Sequence, residues 1–85
     1  MKIVLRPSFL KNIKKLDLSI RSKFVERKLL FETNPLNPLL KNHSLSGEYG
    51  GCRSINITGD YRALYFTDGD ACIFIRIGTH SELYE

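Results

Sequence analysis

The spacing of apolar residues changes twice along the 85-residue chain. Residues 2–5 form a short apolar, β-branched run closed by Pro7, which reads as a strand. Pro7 suits the first position of a helix, where a missing N–H costs nothing. Phe9, Ile13 and Leu16 then recur at helical spacing and predict an amphipathic helix of about three turns, with Lys11, Lys14 and Lys15 on its other side. Asp17 or Ser19 can cap a second helix whose inner face uses Ile20, Phe24, Val25 and Leu29, flanked by Arg21, Lys23, Arg27 and Lys28. Pro35 ends this helix, because the residue before a proline is pushed out of the helical region. Residues 34–41 read as a loop and residues 42–51, with three glycines, as irregular.

Beyond residue 51 the period becomes two. Residues 52–57, 60–66 and 71–77 read as strands, joined by tight turns at Thr58-Gly59 and Asp68-Gly69. The pattern predicts one α+β domain of order β-α-α-β-β-β, a helical hairpin packed on a small, twisted, mainly antiparallel sheet. Strand parity assigns Ile55, Ile57, Tyr61, Ala63, Tyr65, Ile73, Ile75 and Ile77 to the face under the helices. Ser54, Asn56, Asp60, Arg62, Phe74, Arg76 and His80 fall on the open face. Two arginines and a histidine there fit an anion site, and fit equally an ordinary solvated face. The apolar Leu64, Phe66 and Phe74 on the same face read as a partner patch.

Composition adds two constraints. Hydrophobic residues are 42% and charged residues 26%, which is globular, and no apolar run approaches the roughly 20 residues of a membrane span. The first residues lack the apolar core of a secretory signal, so the cytoplasm is the expected compartment, and Cys52 and Cys72 are expected as two reduced thiols. The net charge of +4 is unevenly spread. Residues 1–41 carry ten basic and three acidic side chains, a balance of +7, and residues 42–85 carry three and six, a balance of −3. That polarity suits a polyanionic partner such as RNA, or simply a soluble surface. On the first reading, Lys11, Lys14, Lys15, Arg21, Lys23 and Arg27 are the hairpin cations that would meet such a partner.

Metal-free RNA cleavage needs two proton-transfer groups and cations to hold charge on phosphorus. The two histidines, His43 and His80, each beside a turn-like segment, are the residues suited to proton transfer near neutrality. Their spacing with Asp60 matches no metal-ligand motif, no serine stands in a nucleophile-elbow context, and the glycines at 47–51 lack the lysine and helix of a phosphate loop.

Four segments carry a resemblance: Asn42-His43-Ser44-Leu45-Ser46-Gly47-Glu48-Tyr49; Gly51-Cys52-Arg53-Ser54; Gly59-Asp60-Tyr61-Arg62-Ala63-Leu64-Tyr65; and Arg76-Ile77-Gly78-Thr79-His80-Ser81-Glu82-Leu83-Tyr84. In this order they resemble the RelE/ParE toxin superfamily of type II toxin–antitoxin systems, in its YafQ-like branch. The resemblance covers nearly the whole chain. It implies a compact fold of the microbial-ribonuclease kind and a ribosome-dependent mRNA endonuclease without a cofactor. It implies catalytic roles for His43, Asp60 and His80, and contact of Arg62 with phosphate. Tyr84 takes the place of an aromatic that stacks on a nucleotide. Arg76, Asn56 and Arg53 complete the RNA-contacting set. YafQ-like toxins usually carry a histidine where this chain has Asn56, which cannot shuttle a proton near pH 7. The implied partners are a cognate antitoxin, the ribosome with its mRNA, and operator DNA reached through the antitoxin. The antitoxin segment is expected on the open face, with acidic groups near Arg62, Arg76 and His80. A gyrase-inhibiting binder and an inactive toxin acting only with its antitoxin are the other functions this superfamily accommodates.

Overall fold

The computed structural model describes residues 1–84. Its elements are β1 (Lys2–Leu5), α1 (Pro7–Lys14), α2 (Leu18–Thr33), β2 (His43–Ser44), β3 (Arg53–Thr58), β4 (Tyr61–Asp68), β5 (Ala71–Thr79) and α3 (His80–Tyr84), with 3₁₀ turns at Pro38–Leu40 and Gly47–Tyr49. The five strands form one mixed sheet of order β1-β5-β4-β3-β2, in which only β1 and β5 run parallel. The expected order is present, with β2 and α3 added to it. Both hairpin turns fall one residue later than the sequence suggests, at Gly59-Asp60 and Gly69-Asp70. Glycine is thereby placed at the first turn position, where φ is +47° and +58°.

The helices α1 and α2 cover one face of the sheet. Phe9 of α1, Phe24 and Phe31 of α2 and Leu40 of the following turn are buried against Ile55, Ile57, Ala63, Tyr65, Cys72, Phe74 and Ile77. Four aromatic rings, Phe9, Phe24, Phe31 and Tyr65, surround Phe74 with centroids 5.2–6.0 Å away. Mutual edge-to-face and tilted contacts of this kind add to the large area each ring buries.

Two expectations about this core need correction. Phe74 lies inside it, fully buried, and not on the open face; Ile73 pairs with Phe66 on the opposite side. The cause is a β-bulge. Leu64 pairs with Arg76 while Tyr65 pairs with Phe74, so Ile75 is an extra residue that reverses the parity of β5. On α2, Val25 and Leu29 are 55% and 60% exposed, and the buried residues are Phe24 and Phe31, seven apart and therefore on one side. Both sides of this helix offer apolar groups, and the larger aromatic pair takes the core.

A second bulge lies in β3, where the register shifts between Asn56 and Thr58 and leaves Ile57 extra. Helix side chains complete the bonding at both bulges. Ser8 Oγ of α1 donates to the Ile75 carbonyl at 3.0 Å, and Arg27 Nε of α2 donates to the Ile57 carbonyl at 3.2 Å. Cys52 and Cys72 are free thiols, and burial pushes the Cys72 thiol up from its ordinary value. Among the described residues no helix is long and apolar enough to cross a membrane.

The aromatic hub sets the expected stability ranking. Phe74→Ala should cost about 3–5 kcal/mol by opening a cavity among four rings, and Ile73→Ala clearly less, as read from urea unfolding of both variants. Equal penalties would contradict the inverted parity of β5.

Candidate active site

The sheet face opposite α1 and α2 carries two aligned rows. His43, Ser54, Leu64 and Arg76 stand in register across β2, β3, β4 and β5, and Asn56, Arg62 and Gly78 form the next row. Paired residues in a sheet project to the same side, so these side chains share one surface. The bulge at Ile75 is what sends Arg76 to this surface while Phe74 enters the core.

Chain past Thr79 folds back over the rows as α3. The start of this helix is a capping box. Glu82 N–H donates to Thr79 Oγ1 at 3.3 Å, while Thr79 N–H and Oγ1 donate to Glu82 Oε1 at 2.8 and 2.9 Å. The Thr79-x-x-Glu82 spacing is a helix-start signal present in the sequence, although strand parity extended past residue 77 carries His80 onto the open face. The His80 amide donates to the Asp60 carbonyl at 3.1 Å, which pins α3 to the β3–β4 turn. Gly78 permits the close approach: a Cβ there would lie 3.3 Å from Glu82 Oε1 and 3.6 Å from Leu83 Cδ2. His80 and Tyr84, four apart on this helix, are in contact with ring centroids 4.7 Å apart and planes tilted at 57°.

Under α3 lies a cavity of about 370 Å³ lined by His43, Leu45, Arg62, His80 and Tyr84. His43 Nδ1 is 2.8 Å from the Lys41 carbonyl. A carbonyl only accepts, so Nδ1 carries the proton and Nε2 is the free acceptor of the neutral ring. Lys41 reaches this geometry in a left-handed conformation, φ +47°. Arg62 is fixed through Nη1, which donates to Asn56 Oδ1 at 2.9 Å, the Gly59 carbonyl at 3.1 Å and the Tyr61 carbonyl at 3.3 Å. Its remaining donors make none of the described hydrogen bonds. Arg76 Nη1 donates to the Tyr49 hydroxyl at 2.7 Å; neither residue lines the cavity, although Tyr49 meets Tyr84, which does.

The remaining sequence candidates lie elsewhere. Asp60 occupies the β3–β4 turn with an exposed side chain and meets α3 only through its backbone carbonyl. Arg53 pairs with Tyr65 and so lies on the helix side of the sheet. Its Nε donates to Asn42 Oδ1 at 2.7 Å, and Asn42 in turn donates to the Tyr65 hydroxyl and the Pro35 carbonyl. The six basic residues of the helical hairpin do not form one uniform surface. Lys11, Lys14 and Lys15 are exposed, Lys23 pairs with Glu26 at 3.3 Å, Arg27 turns to the β3 bulge, and Arg21 is half-buried. Among the described residues no cluster of three His, Cys, Asp or Glu could hold a metal ion.

Solved structures with this architecture include bacterial toxins. YafQ from E. coli matches with a TM-score of 0.75 and 25% identity, over 99% of this chain and 98% of that one. A copper-bound mutant toxin from Helicobacter pylori matches with a TM-score of 0.72 and 29% identity, over 99% of both chains. YafQ in the E. coli DinJ–YafQ complex gives 0.72 and 26%, over 99% and 98%. The search of curated proteins found no match. The fold is thus that of the RelE-like toxin superfamily. Residues 1–85 match the family described as bacterial toxin of type II toxin–antitoxin system, YafQ, and the chain belongs to that family.

The cap of α3 responds to acid. Hydrogen bonds from the Thr79 amide and hydroxyl, with the charge of Arg76 added, hold the Glu82 carboxyl below its ordinary value. The folded chain therefore favours the carboxylate, and its stabilisation of α3 is present at neutral pH and lost as the pH falls through that lowered value. The Thr79 amide should lose its hydrogen-bonded NMR shift on acidification, and this step should be absent in Glu82→Gln. A Thr79 amide indifferent to acid in the parent would contradict the cap's role.

Proposed function

We propose that this toxin is a ribosome-dependent mRNA endonuclease that works by metal-independent acid–base catalysis. The observation that carries the reading is the single cavity lined by His43, His80, Arg62 and Tyr84. His43, with its proton on Nδ1, removes the 2′-hydroxyl proton through Nε2. The 2′-oxygen attacks the neighbouring phosphorus, and His80 in its protonated form delivers a proton to the departing 5′-oxygen. Arg62, with Arg76 at the rim, holds the charge that builds on the phosphorane oxygens. Tyr84 stacks on a base of the substrate.

Asn56 acts through Arg62, whose Nη1 it accepts, so the usual histidine is replaced here by a group that orients a cation. Asp60 holds the first amide of α3 and thereby places His80. Neither role requires proton transfer, which reconciles Asn56 with an active nuclease. Arg53 supports the sheet edge behind the site through Asn42.

Family membership supports a cognate antitoxin as partner, as do relatives solved as the DinJ–YafQ complex. Its inhibitory segment lies over the open face and occludes the cavity, and through it the pair reaches operator DNA. Leu64 and Phe74 are buried, so of the expected apolar anchors on that face Phe66 serves, with Arg6 5.3 Å from its ring centroid. The ribosome docks on the opposite side, where Lys11, Lys14 and Lys15 are exposed. The toxin acts in the cytoplasm, where mRNA is translated.

His80→Ala and His43→Ala should each lower cleavage of ribosome-bound mRNA by about 10²–10⁴-fold, the usual worth of a positioned acid or base, and should relieve growth arrest. Circular dichroism should match the parent. Full toxicity in either folded variant would remove that residue from the mechanism.

Replacing Lys11, Lys14 and Lys15 together by Gln should weaken co-sedimentation with ribosomes and flatten its dependence on salt. Unchanged binding across a salt series would show that this surface is only solvated.

A further inference from the structure

Tyr49 takes no part in the chemistry described so far, yet it touches two of the groups that do. It ends the 3₁₀ turn Gly47–Tyr49 in the connection between β2 and β3. Both ends of this turn are tied down: the Gly50 amide donates to the Gly47 carbonyl at 3.0 Å and the Cys52 amide to the Tyr49 carbonyl at 2.9 Å. A loop held this firmly presents its aromatic side chain at a defined place. There the Tyr49 hydroxyl accepts from Arg76 Nη1 at 2.7 Å, the length of a charge-assisted bond. The ring also meets Tyr84 edge-on, with centroids 6.4 Å apart and planes at 85°. Tyr84 in turn packs against His80, the two rings tilted at 57°. One side chain therefore joins the β2–β3 loop to the rim arginine of β5 and to the aromatic face of α3.

We infer that Tyr49 is a positioning residue for RNA cleavage, its hydroxyl aiming Arg76 at the scissile phosphate and its ring holding Tyr84 over the cavity. This rests on the nuclease reading above. A guanidinium has five N–H donors. The bond to Tyr49 engages one nitrogen and restricts the long side chain, while the donors on the other nitrogens remain for phosphate oxygens. An arginine held beforehand loses less conformational freedom when the substrate's charge develops, so the benefit falls on the catalytic step.

The hydroxyl and the ring separate by substitution. Tyr49→Phe keeps the ring and removes the acceptor. With ribosome-bound mRNA as substrate, it should lower kcat about ten-fold, the scale of one hydrogen bond to a charged group, with little change in KM. In an Arg76→Gln background the same substitution should have no further effect, because Tyr49 acts through Arg76. Tyr49→Ala should cost more than Tyr49→Phe in both backgrounds, because it also frees Tyr84. Arg76→Lys, which keeps the charge without the planar fork, replaces the Gln variant if that one fails to fold by circular dichroism. A cleaving parent in which Tyr49→Phe is fully active, or in which its penalty persists undiminished without Arg76, overturns this inference and leaves the nuclease reading standing. A folded parent that does not cleave overturns that reading, and this inference with it.

Discussion

The fold and the site both depend on the extra residue at Ile75. In a regular strand, residues 74 and 76 would face the same way. The bulge separates them, so Phe74 enters the core among Phe9, Phe24, Phe31 and Tyr65, while Arg76 joins the surface that carries His43 and Arg62. One strand thereby anchors the aromatic core and contributes a cation to the opposite face. A strand with alternating parity throughout would have to give up one of these contributions.

The helices and the site are linked by the same device. The carbonyl of each extra residue accepts from the helical hairpin, that of Ile75 from Ser8 and that of Ile57 from Arg27. Ile57 directly follows Asn56, which accepts from Arg62 in the cavity. The packing of α2 on β3 is thereby linked to Arg62, one of the side chains lining the cavity. From the other end of the sheet α3 closes the site, held by the Thr79–Glu82 capping box and by the Asp60 carbonyl. With five residues this helix has little stability of its own. Its cap and the buried Leu83 hold His80 and Tyr84 over the cavity.

Much of this was legible in the sequence, for identifiable reasons. The change from helical spacing at Phe9, Ile13 and Leu16 to alternation after residue 51 predicted the order of the main elements and the α+β class. The four motif segments identified the toxin superfamily, and four of the residues they singled out, His43, Arg62, His80 and Tyr84, line one cavity. Parity reasoning failed at Phe74 because alternation carries no mark of a bulge. On α2 the helical spacing placed Phe24 in the core correctly but took Val25 and Leu29 where Phe31 is buried, a choice that packing against Phe74 decides. The short β2 strand was hidden because its two residues form through pairing with Ser54 and Arg53, a long-range contact with no local pattern. The capping box before α3 does have a local pattern, Thr79-x-x-Glu82, just past the end of the predicted strand at residue 77. Tyr49 stood inside a motif segment, but its contact with Arg76 joins residues 27 apart in the chain.

The proposed chemistry makes the substrate's own 2′-hydroxyl the nucleophile, with His43 as base and His80 as acid. That route leaves a chemical record. The most direct test is to program purified ribosomes with an mRNA, add the toxin, and identify the ends of the fragments, alongside a second mRNA with one 2′-deoxynucleotide on the 5′ side of the cleaved bond. The account predicts a 2′,3′-cyclic or 3′-phosphate on the upstream fragment, a 5′-hydroxyl on the downstream one, and no cleavage at the deoxy position. A 3′-hydroxyl and 5′-phosphate, or undiminished cleavage at the deoxy position, would contradict it.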